Sequence, residues 1–169
     1  LLSRGLGDVY KRQGIQMIYR RRPIVTARAA QALMIRTLGS GSNGIGYYMY
    51  HGGSTPLRQD NIGSYQDEPM GMPKISYDFQ APLGEFGLEH PSYRYLRTIH
   101  SFLADFGSNL APMETVLPEG WEKMTPENRD DLRYAARMKD DSGFIFMINF
   151  QDHDTSVSYT HLTLPTKRI

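Results

Sequence analysis

The chain has 169 residues, no cysteine, and 19 lysine and arginine residues against 18 acidic ones, which gives a net charge of +1. The length fits one domain with room for a core, and the absence of cysteine excludes disulfides, thiol nucleophiles and thiolate metal sites within it. No run approaches the roughly 20 apolar residues of a membrane-spanning helix, so no membrane insertion is expected.

The two ends differ in character from the rest of the chain. Residues 1–13 and 157–169 show no sustained apolar period, and both resemble translated sequencing-adapter DNA. We treat them as artefact tails, the alternative being an ordinary pair of disordered termini. They hold five basic residues and one acidic residue, so the remaining residues 14–156 are slightly acidic. No basic field for nucleic acid is left, and we expect an internal fragment of a longer protein.

The first predicted elements are a helix and a buried strand. Apolar side chains recur at helical spacing over residues 23–38, and Pro23 suits the first turn of a helix. A loop rich in glycine and serine follows at residues 39–44. The near-continuous apolar and aromatic residues 45–51 predict a parallel strand that is buried on both faces. Helix, short loop and buried strand together are typical of one repeat of a βα barrel.

A long loop and a second helix come next. Residues 54–73 are rich in glycine, proline and polar side chains, and loops of this length usually build a site or a lid. A helix is predicted over residues 91–110, with Pro91 near its start. Its apolar stripe consists of Tyr95, Ile99, Phe102, Leu103 and Phe106. The proline-containing residues 111–120 are predicted to be a linker.

Beyond this linker the apolar period changes to two. Residues 132–139 alternate, the Asp-Asp-Ser-Gly run at 140–143 predicts a turn, and residues 144–150 form a second strand-like run. This pattern predicts a β-hairpin that begins an accessory β-domain over residues 121–156. Trp121 is expected to seat that domain against the preceding one, with a role as a sugar-binding platform as the alternative.

Two segments rich in aromatic residues and glycine carry the functional signal. The first motif, residues 47–56, reads YYMYHGGSTP, and the second motif, residues 76–87, reads SYDFQAPLGEFG. Gly52 and Gly53 end the aromatic run where the backbone must turn and nothing large can stand. An aromatic strand that ends in a glycine-lined mouth is typical of one wall of a sugar site in a barrel enzyme.

The paired motifs resemble the last-strand signature of glycoside hydrolase family 35, the β-galactosidases, which reads roughly YYMYHGGTNFG followed by SYDYDAPLDEYG. The resemblance covers roughly residues 23–150. It implies an α/β chain with the C-terminal part of a (β/α)8 barrel over residues 14–110, followed by the start of a β-sandwich-type domain. It also implies a parent enzyme that hydrolyses terminal β-galactosides with retention, with a carbohydrate as partner and without metal or cofactor. The compartment stays open, a periplasmic or secreted parent being one option.

The resemblance also locates the catalytic pair. Retaining glycosidases use two carboxylates about 5 Å apart, and in this family both are glutamates on the fourth and seventh barrel strands. Those strands would precede Gly14, so no catalytic residue is predicted in this chain and the chain alone is expected to be inactive. Carboxylates in the long loop, such as Asp60, are expected to be solvated or to cap turns. Asp78 and Glu85 are expected to fix the second motif.

Four side chains are predicted to contact the sugar: Tyr48, His51, Tyr77 and Phe79. Tyr48 matches the family tyrosine that can hold the nucleophilic carboxylate by a hydrogen bond, and a core tyrosine is the alternative. Phe79 stands where many members have tyrosine, so its ring can still stack on a sugar, but one hydrogen bond worth about 1 kcal/mol is lost. Strict galactose specificity is therefore less secure than glycoside hydrolysis, and branched plant polysaccharides would fit equally well. Gly52, Gly53 and Asp78 are the structural residues of the predicted site.

Two other classes of function stay open. The first is a non-catalytic carbohydrate-binding or structural module derived from a glycosidase barrel. The second is a metal-dependent hydrolase that uses His51 and His153. No metal site is expected, because His51 follows no metal-ligand spacing and adjacent residues 152–154 on an extended chain point to opposite faces.

Overall fold

The computed structural model of the chain describes residues 24–47, 49–59, 76–78, 80–151, 154–155 and 157–159. In chain order the elements are α1 (Ala27–Gly39), β1 (Gly53–Ser54), β2 (Ser76–Tyr77), α2 (Pro91–Leu110), β3 (Glu114–Val116), a 3-10 turn (Trp121–Lys123), β4 (Arg133–Lys139) and β5 (Ser142–Ile148). β1 and β2 pair antiparallel, and β3, β4 and β5 form a second antiparallel sheet in that order. These ranges therefore form a mixed helix-and-sheet structure, and no barrel is formed among them.

The first helix begins and ends at residues whose local chemistry explains its bounds. The Thr26 hydroxyl accepts a hydrogen bond from the Ala29 amide at 3.1 Å, which is an N-cap and places the start of α1 four residues later than the predicted position 23. At the other end, a Cβ on Gly39 would lie 2.9 Å from the Cβ of Phe146. The absence of a side chain there lets the helix end pack directly on β5. The predicted amphipathic helix is confirmed.

The second helix occupies the predicted residues 91–110, with Pro91 at its first position. Its deepest side chain is Leu96, which is fully buried and was not part of the predicted stripe. Phe106 was predicted to lie in that stripe, but 45% of it is exposed. Its ring lies at the margin of the core, 5.6 Å from the ring of Phe144 on β5. The buried face of α2 is thus rotated toward α1.

One apolar core joins both helices to the three-stranded sheet. Its buried members are Met34, Leu38, Leu96, Ile99, Leu110 and Phe146. The ring of Phe102 lies 5.2 Å from that of Phe144 and 6.1 Å from that of Phe146, edge to face in both cases. The inner face of the β4–β5 hairpin therefore packs on α1 and α2.

The predicted hairpin is present, and its turn explains its glycine. Lys139 lies opposite Ser142, and Asp140 adopts φ 54°, a left-handed conformation that aspartate tolerates. A Cβ on Gly143 would lie 2.5 Å from the carbonyl oxygen of Arg137, so only glycine fits beside that strand.

The prediction of a linker over residues 111–120 was wrong for Glu114–Val116, because these residues form β3 and pair with β4. Three residues are too few to reveal a period of two.

The strand predicted over residues 45–51 is not continuous. Among the residues that the structure describes there, His51 forms only an isolated parallel bridge with Leu83. The Leu83 amide donates to the Tyr50 carbonyl at 3.0 Å, and the Gly52 amide donates to the Leu83 carbonyl at 2.7 Å. A buried parallel strand needs a ladder on both sides, and isolated bridges at Ile45 and His51 do not supply it.

Arg137 is the largest of the fully buried side chains, with 1% exposure. It donates to the carbonyl oxygens of Leu38 at 3.2 Å, Leu110 at 2.9 Å and Met113 at 3.0 Å. Its Nη2 also donates to the side-chain oxygen of Asn43 at 2.8 Å. The carbonyls at a helix C-terminus lack intrahelical partners and carry partial negative charge. One guanidinium on β4 therefore satisfies the ends of both helices.

Candidate functional site

The site is built where the two motifs meet. β1 lies in the first motif and β2 in the second, and their pairing places Gly53 opposite Tyr77 and Ser54 opposite Ser76. His51, Gly52, Gly53, Tyr77 and Asp78 all belong to this region. Two further predicted site residues, Tyr48 and Phe79, lie outside the described residues. The structure thus brings together two segments that are separated by the long loop.

At Gly52 the backbones of the two motifs approach each other closely. Gly52 is buried, and a Cβ there would lie 2.8 Å from the Glu85 amide nitrogen and 3.0 Å from the Cα of Asp78. Both neighbours are backbone atoms that cannot move aside without shifting the second motif. The first glycine of the pair is therefore required for close approach of two backbones.

The Asp78 carboxylate orders its own segment. Its Oδ1 accepts a hydrogen bond from the Glu85 amide at 2.8 Å across seven residues. A Cβ on Gly84 would lie 2.9 Å from the same oxygen. This geometry gives Asp78 a turn-closing contact and keeps the second motif against Gly52.

Glu85 connects the second motif to both strands of the small pair. The Ser54 hydroxyl donates to Glu85 Oε1. Hydrogen bonds from Ser54 and then Ser76 lower the pKa of Glu85, because they stabilise the ionised carboxylate. An ionised and hydrogen-bonded carboxylate is suited to a fixed structural contact, not to proton donation.

A cluster of aromatic rings attaches the first motif to α2. The Tyr47 hydroxyl lies 2.7 Å from Nε2 of His100, and the ring of Tyr50 lies 5.6 Å from His100 and 6.4 Å from Tyr93. Burial lowers the pKa of His100, which favours the neutral ring. Its Nε2 then accepts a hydrogen bond from the Tyr47 hydroxyl. Burial raises the pKa of Tyr47, with Tyr50 as a smaller cause, so that hydroxyl stays protonated.

Sequence reasoning missed Tyr93 and His100 as supports of the first motif. The available signal was their spacing of seven residues, which places both on one face of a helix. They lie on the part of α2 that faces the first motif, beside the buried Leu96. Together they hold the aromatic residues that precede the two glycines.

The exposed side of the site is open at Gly53. Among the described residues other than its two chain neighbours, no atom lies within 4 Å of a Cβ built on Gly53, in contrast to Gly52. In an extended chain residues i and i+2 share a face, so the side chain of His51 lies on the same face as the open position at Gly53. Tyr77 lies opposite Gly53 on the paired strand and flanks the position from the other side. His51 is exposed, and its Nδ1 donates to the Gly52 carbonyl, which leaves Nε2 directed away from that bond. The arrangement can offer polar groups to a bound hydroxyl-rich molecule.

The predictions about His153 and Trp121 concern the far end of the structure. His153 lies outside the described residues, and Asp154 forms an ion pair with Arg129 at 2.6 Å. No group of three or more metal-ligating side chains occurs in the described ranges. Trp121 is 49% exposed and lines an open groove of about 740 Å³ with Leu117 and Phe150. None of the described residues of either motif lines this groove, so it is separate from the described part of the candidate site.

Comparison with known families gives no match, since no family model matches the chain. Neither of the two described α-helices combines the length and apolar character needed to cross a bilayer.

Proposed function

We propose that the chain is the C-terminal end of a family-35-like (β/α)8 catalytic barrel, together with the beginning of its accessory β-domain. The parent enzyme would hydrolyse terminal β-galactosides with retention. The resemblance of the two motifs to the family signature motivates the proposal. The observation that supports it best is the contact of the motifs at Gly52, beside the open position over Gly53.

In this proposal the described part forms one non-catalytic wall of the sugar site. His51 Nε2 and the Tyr77 hydroxyl provide polar contacts on either side of Gly53, because hydrogen bonds orient a sugar in a mostly apolar pocket. Tyr48 and Phe79 keep the roles that the resemblance implies, namely positioning the nucleophile and stacking on the sugar. Asp78 and Glu85 are engaged in hydrogen bonds within the motifs, so neither is assigned a catalytic role.

The test begins with the uninterrupted gene. We expect two glutamates at the ends of two predicted strands before Gly14, at a separation that a barrel brings to about 5 Å. The encoded enzyme should transfer galactose from a nitrophenyl β-galactoside to methanol and give the β-methyl product. Absence of such glutamates, or an α-methyl product, would overturn the proposal.

A second candidate is a non-catalytic carbohydrate-binding module derived from such a barrel. It is favoured by one observation, that both carboxylates of the second motif are committed to contacts within the motifs. The uninterrupted protein would then bind galactosides without turnover. Variants of His51 and Tyr77 would weaken binding in both cases, so the product analysis distinguishes the two candidates.

A further inference from the structure

The two edges of the three-stranded sheet differ in their protection. β3 has three residues, includes the exposed Glu114, and is followed closely by Pro118. Short length, charge and proline are the devices by which sheet edges avoid pairing with other chains. β5 has seven residues, SGFIFMI, without a charge or a proline. The β5 edge, meaning the side of β5 opposite β4, therefore lacks these devices.

The β5 edge carries main-chain groups that no other described strand pairs with. In the described ranges β5 pairs with β4 alone. Lys139 and Ser142 flank a two-residue turn as a hydrogen-bonded pair, and antiparallel ladders alternate. The amides and carbonyls of Gly143, Ile145 and Met147 consequently point away from β4. Ile145 is 38% exposed and Met147 is 47% exposed.

The side chains of β5 match a second copy of the same strand. An antiparallel pair centred on Ile145 places that residue opposite its own copy, Gly143 opposite Met147, and Phe144 opposite Phe146. No like charges meet anywhere along the seven residues, and apolar residues face apolar or glycine positions except at the ends, where Ser142 lies opposite Ile148. The outer face continues this character, because Tyr134 lies opposite Met147 and Ala136 opposite Ile145.

We propose that two copies of this chain associate through the β5 edge, in an isologous antiparallel pair that extends the sheet from three to six strands. Such a contact uses the same patch on both copies, as a twofold axis requires. Main-chain hydrogen bonds of the added strand supply the affinity, as in other cases of strand addition. The proposal depends on the sheet edge and is independent of any sugar-binding function.

The experiment uses the full chain in sedimentation velocity over a wide range of protein concentration. We expect the mass to rise from one chain to two in the unsubstituted protein. Ile145→Lys should weaken dimerisation at least about tenfold, since an edge lysine opposes pairing with a like copy. The matched control is Ile24→Lys, the same replacement at a position that is 82% exposed and lies before α1. The control should dimerise as the unsubstituted chain does.

Hydrogen exchange provides a second readout that does not depend on folding of the variant. The amides of Ile145 and Met147 should gain protection as the concentration of the unsubstituted chain rises. If Ile145→Lys loses its circular dichroism signal, Met147→Lys replaces it. A chain that stays monomeric at every concentration would overturn the proposal. This holds even if the amides of Ile145 and Met147 are protected, because another part of the same chain would then cover the β5 edge. Equal dimerisation of the edge variants and the control would also overturn it.

Discussion

The guanidinium of Arg137 donates to the Leu110 carbonyl at 2.9 Å, so a residue in the middle of β4 caps the last turn of α2. The same group reaches the Leu38 carbonyl at the end of α1. Within the described ranges its charge is met by carbonyl and amide oxygens and not by a carboxylate. These hydrogen bonds join the hairpin to the C-terminal ends of both helices.

Arg137→Lys should lower the free energy of unfolding by about 2–4 kcal/mol, because a single ammonium cannot replace the buried guanidinium's hydrogen bonds to the ends of both helices. Urea denaturation measures the loss. Arg133→Lys is the matched control, since Arg133 also donates to carbonyls, but to those of the exposed loop at residues 125–128. A loss no larger than that of the control would contradict the capping role.

Gly52→Ala should separate the two motifs and cost about 1–3 kcal/mol, because the added methyl would lie 2.8 Å from a backbone nitrogen. The readout is hydrogen exchange of the Glu85 amide, which donates to Asp78 in the native structure. Gly53→Ala is the control, since its methyl would enter open space. Equal protection of Glu85 in both variants would show that the motifs do not meet at Gly52.

The pH dependence of stability should include a contribution from His100. Burial lowers the pKa of this ring, so protons bind the unfolded state more tightly. The stabilisation that the neutral His100 ring contributes is complete at pH values above its pKa in the unfolded chain, about 6.5. It is lost as the pH falls from there through the lower pKa of His100 in the folded chain. His100→Gln should flatten this decline of the unfolding free energy. The same replacement at the exposed His51 is the control, and an unchanged slope in His100→Gln would refute the assignment.

Trp121 is the sole tryptophan of the sequence, so its fluorescence reports on the groove. We expect acrylamide quenching intermediate between that of a buried and a free indole, because half of the residue is exposed. Galactose should leave the emission unchanged, since no motif residue that the structure describes lines this groove. A galactose-dependent shift would favour the alternative in which Trp121 is a sugar platform.

The chain as it stands should not hydrolyse β-galactosides. Its described motif carboxylates are held by hydrogen bonds, and the proposed function assigns catalysis to two glutamates before Gly14. Nitrophenol release from a nitrophenyl β-galactoside should equal that of a heat-denatured sample. Stoichiometric turnover that disappears in Glu85→Gln would contradict this expectation and assign the carboxylate a chemical role.

Elements with strong local signals were predictable from the sequence. Pro91 and the apolar spacing after it give the correct bounds of α2, and the Asp-Asp-Ser-Gly run gives the turn of the hairpin. These features depend on neighbouring residues, which a sequence pattern shows directly. The pairing of the two motifs through β1 and β2 is a finding of the structure that neither motif shows by itself.

Features that depend on distant residues were not predictable. The alternation along residues 132–139 gives no sign that Arg137 lies on the buried face, because that burial is compensated by carbonyls at two helix ends far away in sequence. The aromatic residues 45–51 have strong strand propensity, but propensity cannot supply a neighbouring strand. His100 is one polar residue of α2 until the fold places Tyr47 beside it.

The Arg137 contacts have a consequence for the order of events during synthesis. Leu38 precedes Arg137 by 99 residues and Leu110 precedes it by 27. Both helices are therefore translated well before the guanidinium that donates to their last carbonyls, while the nearby amides of Gly41 and Met113 already reach the same two oxygens. Contacts between residues so far apart in sequence form more slowly than local helical contacts. The nascent chain should stay open to chaperones until β4 has left the exit tunnel, and its core should then form in one late step.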